Sequence, residues 1–293
     1  MKMNRDLNAL TALVYRQLKR WAVSRSRIIS IIIQPLLWIV FLGLGFGAVF
    51  SAQNIDPSSI IGDSSIPNYI DPSVVRNMLF KYFTTTFGGV DYITFLVTGM
   101  AAMTAFIGSF ISGISVIWDK QFGFLRETLV APASRKIIIL GRIIGDSIIN
   151  TVQSLIIILL ALLITNQINP WGIPIALLYI FIMSLGFTGV GVAISLKFSS
   201  MEGFQMVINL LTMPLMFLSG VFYPINTMPN WMKAIATINP LTYCVYGTRY
   251  WLAGVETGLS FMNPITSLAI LTIFMTVFTA IAMISFDKAT IEE

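Results

Sequence analysis

The chain has no histidine and a single cysteine, Cys244. Intramolecular disulfides, histidine general bases and Cys/His zinc sites are therefore excluded. It also has no Gly-Lys dipeptide, and so lacks the Gly-x-x-x-x-Gly-Lys-[Ser/Thr] loop that cradles nucleotide phosphates. This polypeptide is therefore not expected to hydrolyse ATP alone. Charge is scarce too: Asp, Glu, Lys and Arg make up 11% of the 293 residues, while 56% are hydrophobic. A soluble domain has no means of hiding that much apolar surface.

What is plentiful is uncharged sequence in runs of about 20 residues, the length a helix needs to cross a hydrocarbon core of ~30 Å. Mean hydropathy is +0.83. These runs predict an all-α polytopic membrane protein with six transmembrane helices, over 28–50, 92–117, 137–165, 173–196, 204–222 and 264–286. The polar, basic start is longer than the n-region of a signal peptide, so no cleavable leader is expected. A net charge of +5 fits basic residues flanking spans better than it fits nucleic acid. With both termini cytoplasmic, fourteen of the eighteen Lys and Arg residues fall on the inner side, as the positive-inside rule requires.

Residues 1–27 form an amphipathic segment, with Leu7, Leu10, Leu13, Val14, Leu18 and Trp21 on one helical face. It is expected as a cytoplasmic helix at the membrane interface, or else packed on a partner. In the first span Pro35 predicts a kink, and Gly43 and Gly47 have the spacing that lets helices approach closely. Residues 51–91 are predicted as a solvated acidic loop outside, since their aspartates lack calcium-loop order. The second span mixes apolar and hydroxylated residues, among them Thr98, Thr104 and Ser109, and so either packs tightly or lines a cavity. In the third, Arg142 and Asp146 stand one turn apart and predict a structural ion pair. Asn150 and Gln153 continue inward, and Gly141 and Gly145 give a second close-packing spacing. The fifth span carries Met206, Asn209, Thr212, Met213, Met216 and Phe217 around Pro214. Such residues either fill a core or form an adaptable wall for amphipathic substrates. The Pro-bounded, aromatic-rich stretch 223–263 predicts outer re-entrant helices, before the last span and a short tail at 287–293.

Between the second and third spans lies a charged island, WDKQFGFLRETLVAPASR at 118–135. Phe122, Leu125 and Leu129 share a helical face, Lys120, Arg126 and Glu127 supply charge, and Pro132 ends the helix. The island suits docking into a groove on another protein, or it is a solvated loop that reverses the chain.

Two stretches carry a family resemblance. WDKQFGFLRETLVAPASRKIIILGRIIGD at 118–146 and FLSGVFYPINTMPNWMKAIATINPLTYCVYGTRY at 217–250 resemble the ABC-2 type permeases, most closely the daunorubicin-resistance-like drug exporters. In many of these an acidic residue stands two places after the loop glycine. Here that place holds Leu125, and the carboxylate comes at Glu127. The resemblance implies an ABC-2 (type V exporter-like) permease fold. It makes 1–27 a connecting helix, 28–286 the permease domain and 118–130 a coupling helix. Asp119, Lys120, Phe122, Gly123, Leu125, Arg126, Glu127, Pro132 and Arg135 then form the docking site for two copies of a separate ABC ATPase subunit. ATP and Mg would sit on that subunit, and this chain would bind no cofactor and not be an enzyme. The resemblance further implies a second copy of the permease, a prokaryotic cell membrane with its lipids, and outward movement of an amphipathic drug, lipid or glycan. Thr98, Thr104, Ser109, Met206, Asn209, Thr212, Met213, Met216 and Phe217 would line the path. The alternatives are a membrane-embedded lipid-modifying enzyme, for which Asp146 alone has the needed depth, and a passive channel or scaffold subunit.

Overall fold

Apolar helices that have no water to bond must satisfy their own backbones, and every regular element here is helical. The computed structural model describes residues 2–50, 72–123 and 134–289; among them there is no strand. Helix α1 spans Lys2–Val23. Helix α2 spans Arg25–Trp38, passes without a break into a π-helical stretch at Ile39–Leu44, and continues as α3, Gly45–Phe50. Pro35 lies inside α2. It removes one N–H from the ladder, and the wider π turns follow directly.

Helices α5 (Tyr92–Gln121), α6 (Arg135–Ile164) and α7 (Ile173–Ser195, extended by a 3-10 turn from Pro170) follow a shorter α4, Pro72–Thr86. Then come α8 (Met201–Phe217), α9 (Asn230–Ile238), α10 (Pro240–Ala253) and α11 (Pro264–Ala289). Four of these regions, 92–121, 135–164, 170–195 and 264–288, are long and apolar enough to cross a membrane. The first expected span falls in the helical region 25–50, and the fifth in the 17-residue α8. The stretch assigned to an outer loop contains α4, which begins on Pro72, a residue pre-organised for a first helical turn.

Side-chain caps set several of the starts. Asp91 accepts from the Thr94 amide ahead of α5, Ser134 from Ile137 ahead of α6, and Ser200 from Gly203 ahead of α8. Helix α5 is the centre of the bundle, with Phe95, Leu96, Met100, Phe106 and Phe110 in the main core. Small residues bring its neighbours close. A Cβ at Gly189 of α7 would lie 3.0 Å from the Phe278 carbonyl of α11. The Gly141/Gly145 stripe of α6 receives α1, where added Cβ atoms would stand 3.1 Å from Leu13 and 3.0 Å from Gln17. The amphipathic N-terminal helix therefore packs its apolar face on the bundle.

The two ends of the bundle differ in chemistry. At one end α1, the last turns of α5 and the first turns of α6 meet, and Phe286 near the end of α11 joins Val116 and Ile139. At the other, Thr94 and Thr165 hydroxyls bond at 2.6 Å, and the Asn169 amide donates to the Leu252 carbonyl at 2.7 Å.

Candidate docking face and transport path

The charged end is organised by one carboxylate. Asp119, in the last turn of α5, is only 8% exposed. Arg142 of α6 donates to its Oδ2 at 2.6 Å and also to the Ser115 hydroxyl. Arg20 of α1 approaches the other oxygen at 3.8 Å and lies over the Trp118 ring, 6.0 Å from its centroid. One acid between two guanidiniums binds three helices, and the nearly dry 2.6 Å contact is the stronger of the two pairs. A further tie reaches α8: Gln121 donates to the Ser199 carbonyl at 2.8 Å, and the Trp118 indole N–H points at the Met201 sulfur.

This geometry corrects one pairing read from the sequence. The ion pair of Arg142 is with Asp119, not with Asp146. Long side chains on a helix lean toward its N-terminus, so Arg142 extends back to the charged end while Asp146 lies one turn deeper. Acid-before-base is also the better helical order, and Arg142–Asp146 has the reverse.

Of the residues proposed for docking, Asp119 is turned inward. Phe122, by contrast, is 69% exposed. Gly123 has φ +77°, a left-handed conformation that lets the chain leave α5 at once. Lys120 is half-buried in the last turn of α5, and Arg135 half-buried in the first turn of α6. Leu125, Arg126, Glu127 and Pro132 lie outside the described residues. An open cleft beside Arg16, Arg20, Trp118, Asp119 and Phe122 joins α1 to this face.

The path residues separate into three groups. Thr98, Thr104 and Ser109 are held inside the bundle. The Thr98 hydroxyl bonds the Thr94 and Phe95 carbonyls, and Ser109 sits in a buried knot with Ser184 and Asn150, with contacts of 2.8–3.2 Å. Met206 (74% exposed), Asn209 and Met213 occupy the uncovered face of α8, where Gln205 donates to Asn209 at 2.8 Å. Thr212 is half-buried on the same helix, and Met216 is buried.

Phe217 alone of these lines a large apolar cavity of about 450 Å3. Trp38 of α2, Leu42 of the π stretch, Tyr82 and Phe83 of α4, and Phe222 and Tyr223 of the turn after α8 share its wall. The Phe222 ring centroid lies 5.6 Å from that of Trp38 and 5.1 Å from that of Phe217. Burial pushes the Tyr223 phenol above its ordinary pKa, so it stays a neutral hydroxyl. A cavity of this size with few polar groups matches the usual form of a drug-sized ligand site. Sequence reasoning missed Trp38, Tyr82 and Phe222, because three chain-distant segments meet there.

Arg249 was another miss. It is buried in α10, stands 3.5 Å over the Phe95 ring, and donates to the carbonyls of Gly220, Val221 and Phe95 at 3.0–3.1 Å. It fastens the turn after α8 to α5. No group of three or more Cys, Asp or Glu side chains gathers to hold a metal among the described residues.

Known proteins resemble this chain in sequence. The profile of the ABC-2 type transporter family matches residues 8–253. The transport permease ycf38 of Cyanophora paradoxa is 29% identical over 247 residues, covering 84% of this chain and 73% of its own. The inner membrane transport permease YadH of Escherichia coli is 22% identical over 222 residues, covering 73% of this chain and 84% of its own. A third relative, named "Probable multidrug ABC transporter permease YbhR" in Escherichia coli, is 31% identical over 157 residues, 53% of this chain and 42% of its own. With a family match over most of its length and several apolar helices long enough to span a bilayer, the chain is a multi-pass membrane protein that belongs to the ABC-2 type transporter family.

Proposed function

We propose that this chain is the permease subunit of an ATP-binding cassette exporter, working as a pair of copies with two copies of a separate ATPase that docks on residues 118–130. The observation that carries this reading is the Arg20–Asp119–Arg142 knot. It ties the N-terminal helix, the end of α5 and the start of α6 together at the root of the docking loop. A push on the loop would then move three helices as a unit. Six spans are counted by taking 25–50 and α8 as the two shorter crossings, with both termini on the cytoplasmic side.

The cargo is an amphipathic drug or lipid, which enters the aromatic cavity and leaves as α8, whose outer face is uncovered, parts from its copy in the second protomer. Few polar groups line that cavity, and this disfavours the glycan alternative. The multidrug wording in the name of YbhR agrees with this reading, though it belongs to that protein. ATP and Mg are bound and consumed on the partner subunit alone.

The test is co-purification followed by reconstitution. A separate ATPase should come down with the tagged permease, and its hydrolysis in proteoliposomes should rise with apolar aromatic compounds. A permease that isolates without an ATPase, from cells expressing its own neighbours, would overturn the assignment in favour of a channel or scaffold.

A further inference from the structure

A second and smaller cavity, of about 180 Å3, lies between the first helical region and the middles of α5 and α6. Its chemistry is unlike that of the aromatic cavity. Thr104 and Gly108 of α5, Asn150 and Gln153 of α6, and Ser30 and Gln34 of α2 contribute to the wall.

The polar groups converge rather than scatter. A Cβ at Gly108 would collide with Asn150 Oδ1 and would stand 3.3 Å from Gln153 Oε1, so two amide oxygens crowd over the space left by the missing side chain. Asn150 is fixed in that orientation because its Nδ2 donates to Ser184 at 3.0 Å and to Ser109 at 3.2 Å. Gln153 is only 2% exposed, and its Oε1 has no hydrogen-bond partner among the described residues. A buried amide acceptor left without a donor is destabilising, and such a group in a cavity wall is a place for a donor. Thr104 spends its proton on the Met100 carbonyl at 2.8 Å and so also faces the cavity as an acceptor.

We propose that this cavity binds the hydroxyl head of a neutral amphiphile from the bilayer, of the class of a diacylglycerol or long-chain alcohol, at a site separate from the aromatic cavity. Neutrality follows from the wall, since none of its described residues is charged. An ammonium would have no counter-ion there, and a phosphate or carboxylate would have no cation. The hydroxyl donates its one proton to the unpartnered Gln153 oxygen while its chain lies along Met103, Ile107 and Ile111. Ile111, Ser30 and Gln34 are exposed on the surface of the bundle, which gives the chain a way in from the side. This assignment stands whether or not the ATPase partnership does.

The probe is a diacylglycerol bearing a diazirine on the acyl chain near the glycerol, beside its methyl ether, each irradiated with the purified protein in lipid nanodiscs. Adducts are mapped by peptide mass spectrometry. The free-hydroxyl probe should label the segments around 103–111 and 150–153 at least about fivefold more than the ether does, the loss expected from removing one buried hydrogen bond. Gln153→Leu should reduce that labelling to the level of the ether. If Gln153→Leu lowers folding yield, Gly108→Ala, whose Cβ takes the notch by displacing Asn150 Oδ1 and keeps the Gln153 amide, should reduce the labelling in the same way. Equal labelling by both probes, labelling unchanged by these variants, or the absence of adducts in these segments, as for a cavity filled by water alone, would overturn the proposal.

Discussion

Arg142 and Asp119 meet at 2.6 Å across two helices, with both side chains nearly excluded from water. Breaking one side of such a pair strands a charge, so Asp119→Asn or Arg142→Met should each lower stability by roughly 3–5 kcal/mol. The double variant Asp119→Asn with Arg142→Met should recover a large part of that loss, because no buried charge remains. Thermal unfolding in detergent reads both effects. If the two single losses simply add in the double variant, the pair is not the coupled unit described.

The contact between α1 and α6 depends on two missing side chains. Gly145→Leu would drive a branched side chain into Gln17 and Val14, which lie 3.0–3.4 Å from the position of a Cβ. Overpacking of this kind costs about 1–3 kcal/mol, and here it should be felt as release of α1 rather than global unfolding. Faster amide exchange along 8–20 with little change in α5 is the expected result. Uniformly faster exchange would show that α1 is not a separable layer.

Much of the bundle could be read from sequence because it is governed by local rules. The helix ends of 92–121, 135–164 and 173–195 lie within a few residues of the apolar runs that announced them, and Pro35 marks the place where regular helix gives way to π turns. What failed locally was hidden by composition: α4 carries Arg76, Lys81 and three threonines, and acidic, Pro-rich sequence precedes it, so its helical spacing was absorbed into a loop. The long-range failures have a different cause. The partner of Arg142 is 23 residues away and a carbonyl partner of Arg249 is 154 away. No pattern within either segment specifies such contacts. The same holds for the aromatic cavity, since Trp38, Tyr82 and Phe222 become neighbours only when three chain-distant segments meet.

The cavity itself predicts a graded response to truncation. Phe217→Ala and Trp38→Ala each remove a ring that meets Phe222 within 5.6 Å, a loss of roughly 1 kcal/mol beyond apolar area alone. Half-maximal stimulation of the partner ATPase by an aromatic substrate should shift upward about fivefold to tenfold for either variant. Basal hydrolysis should change little, since neither residue approaches the charged end. Met206→Ala on the exposed face of α8 is the contrast: it should leave the stimulation constant where it is if the cavity is the binding site, and move it if the α8 face is.

Arg249 gives the most severe single-residue prediction. Its guanidinium serves three carbonyls on two segments and lies 3.5 Å over the Phe95 ring. Arg249→Met keeps most of the volume and leaves the carbonyls of Gly220 and Val221 without this donor, while the Phe95 carbonyl keeps the Thr98 hydroxyl. At about 1–3 kcal/mol for each buried group left unsatisfied, the loss should exceed that of an ordinary core truncation. Arg249→Lys keeps the charge but replaces a planar fork with a point donor that cannot span both segments, so it should recover less than half of the lost stability. Because the same contacts fasten the turn that carries Phe222 and Tyr223, the lysine variant should also blunt substrate stimulation while the chain still folds. Thermal unfolding and ATPase stimulation measured on the same preparations separate the two effects. A lysine variant with full stability and full stimulation would show that charge alone, and not the forked donor, holds the turn against α5.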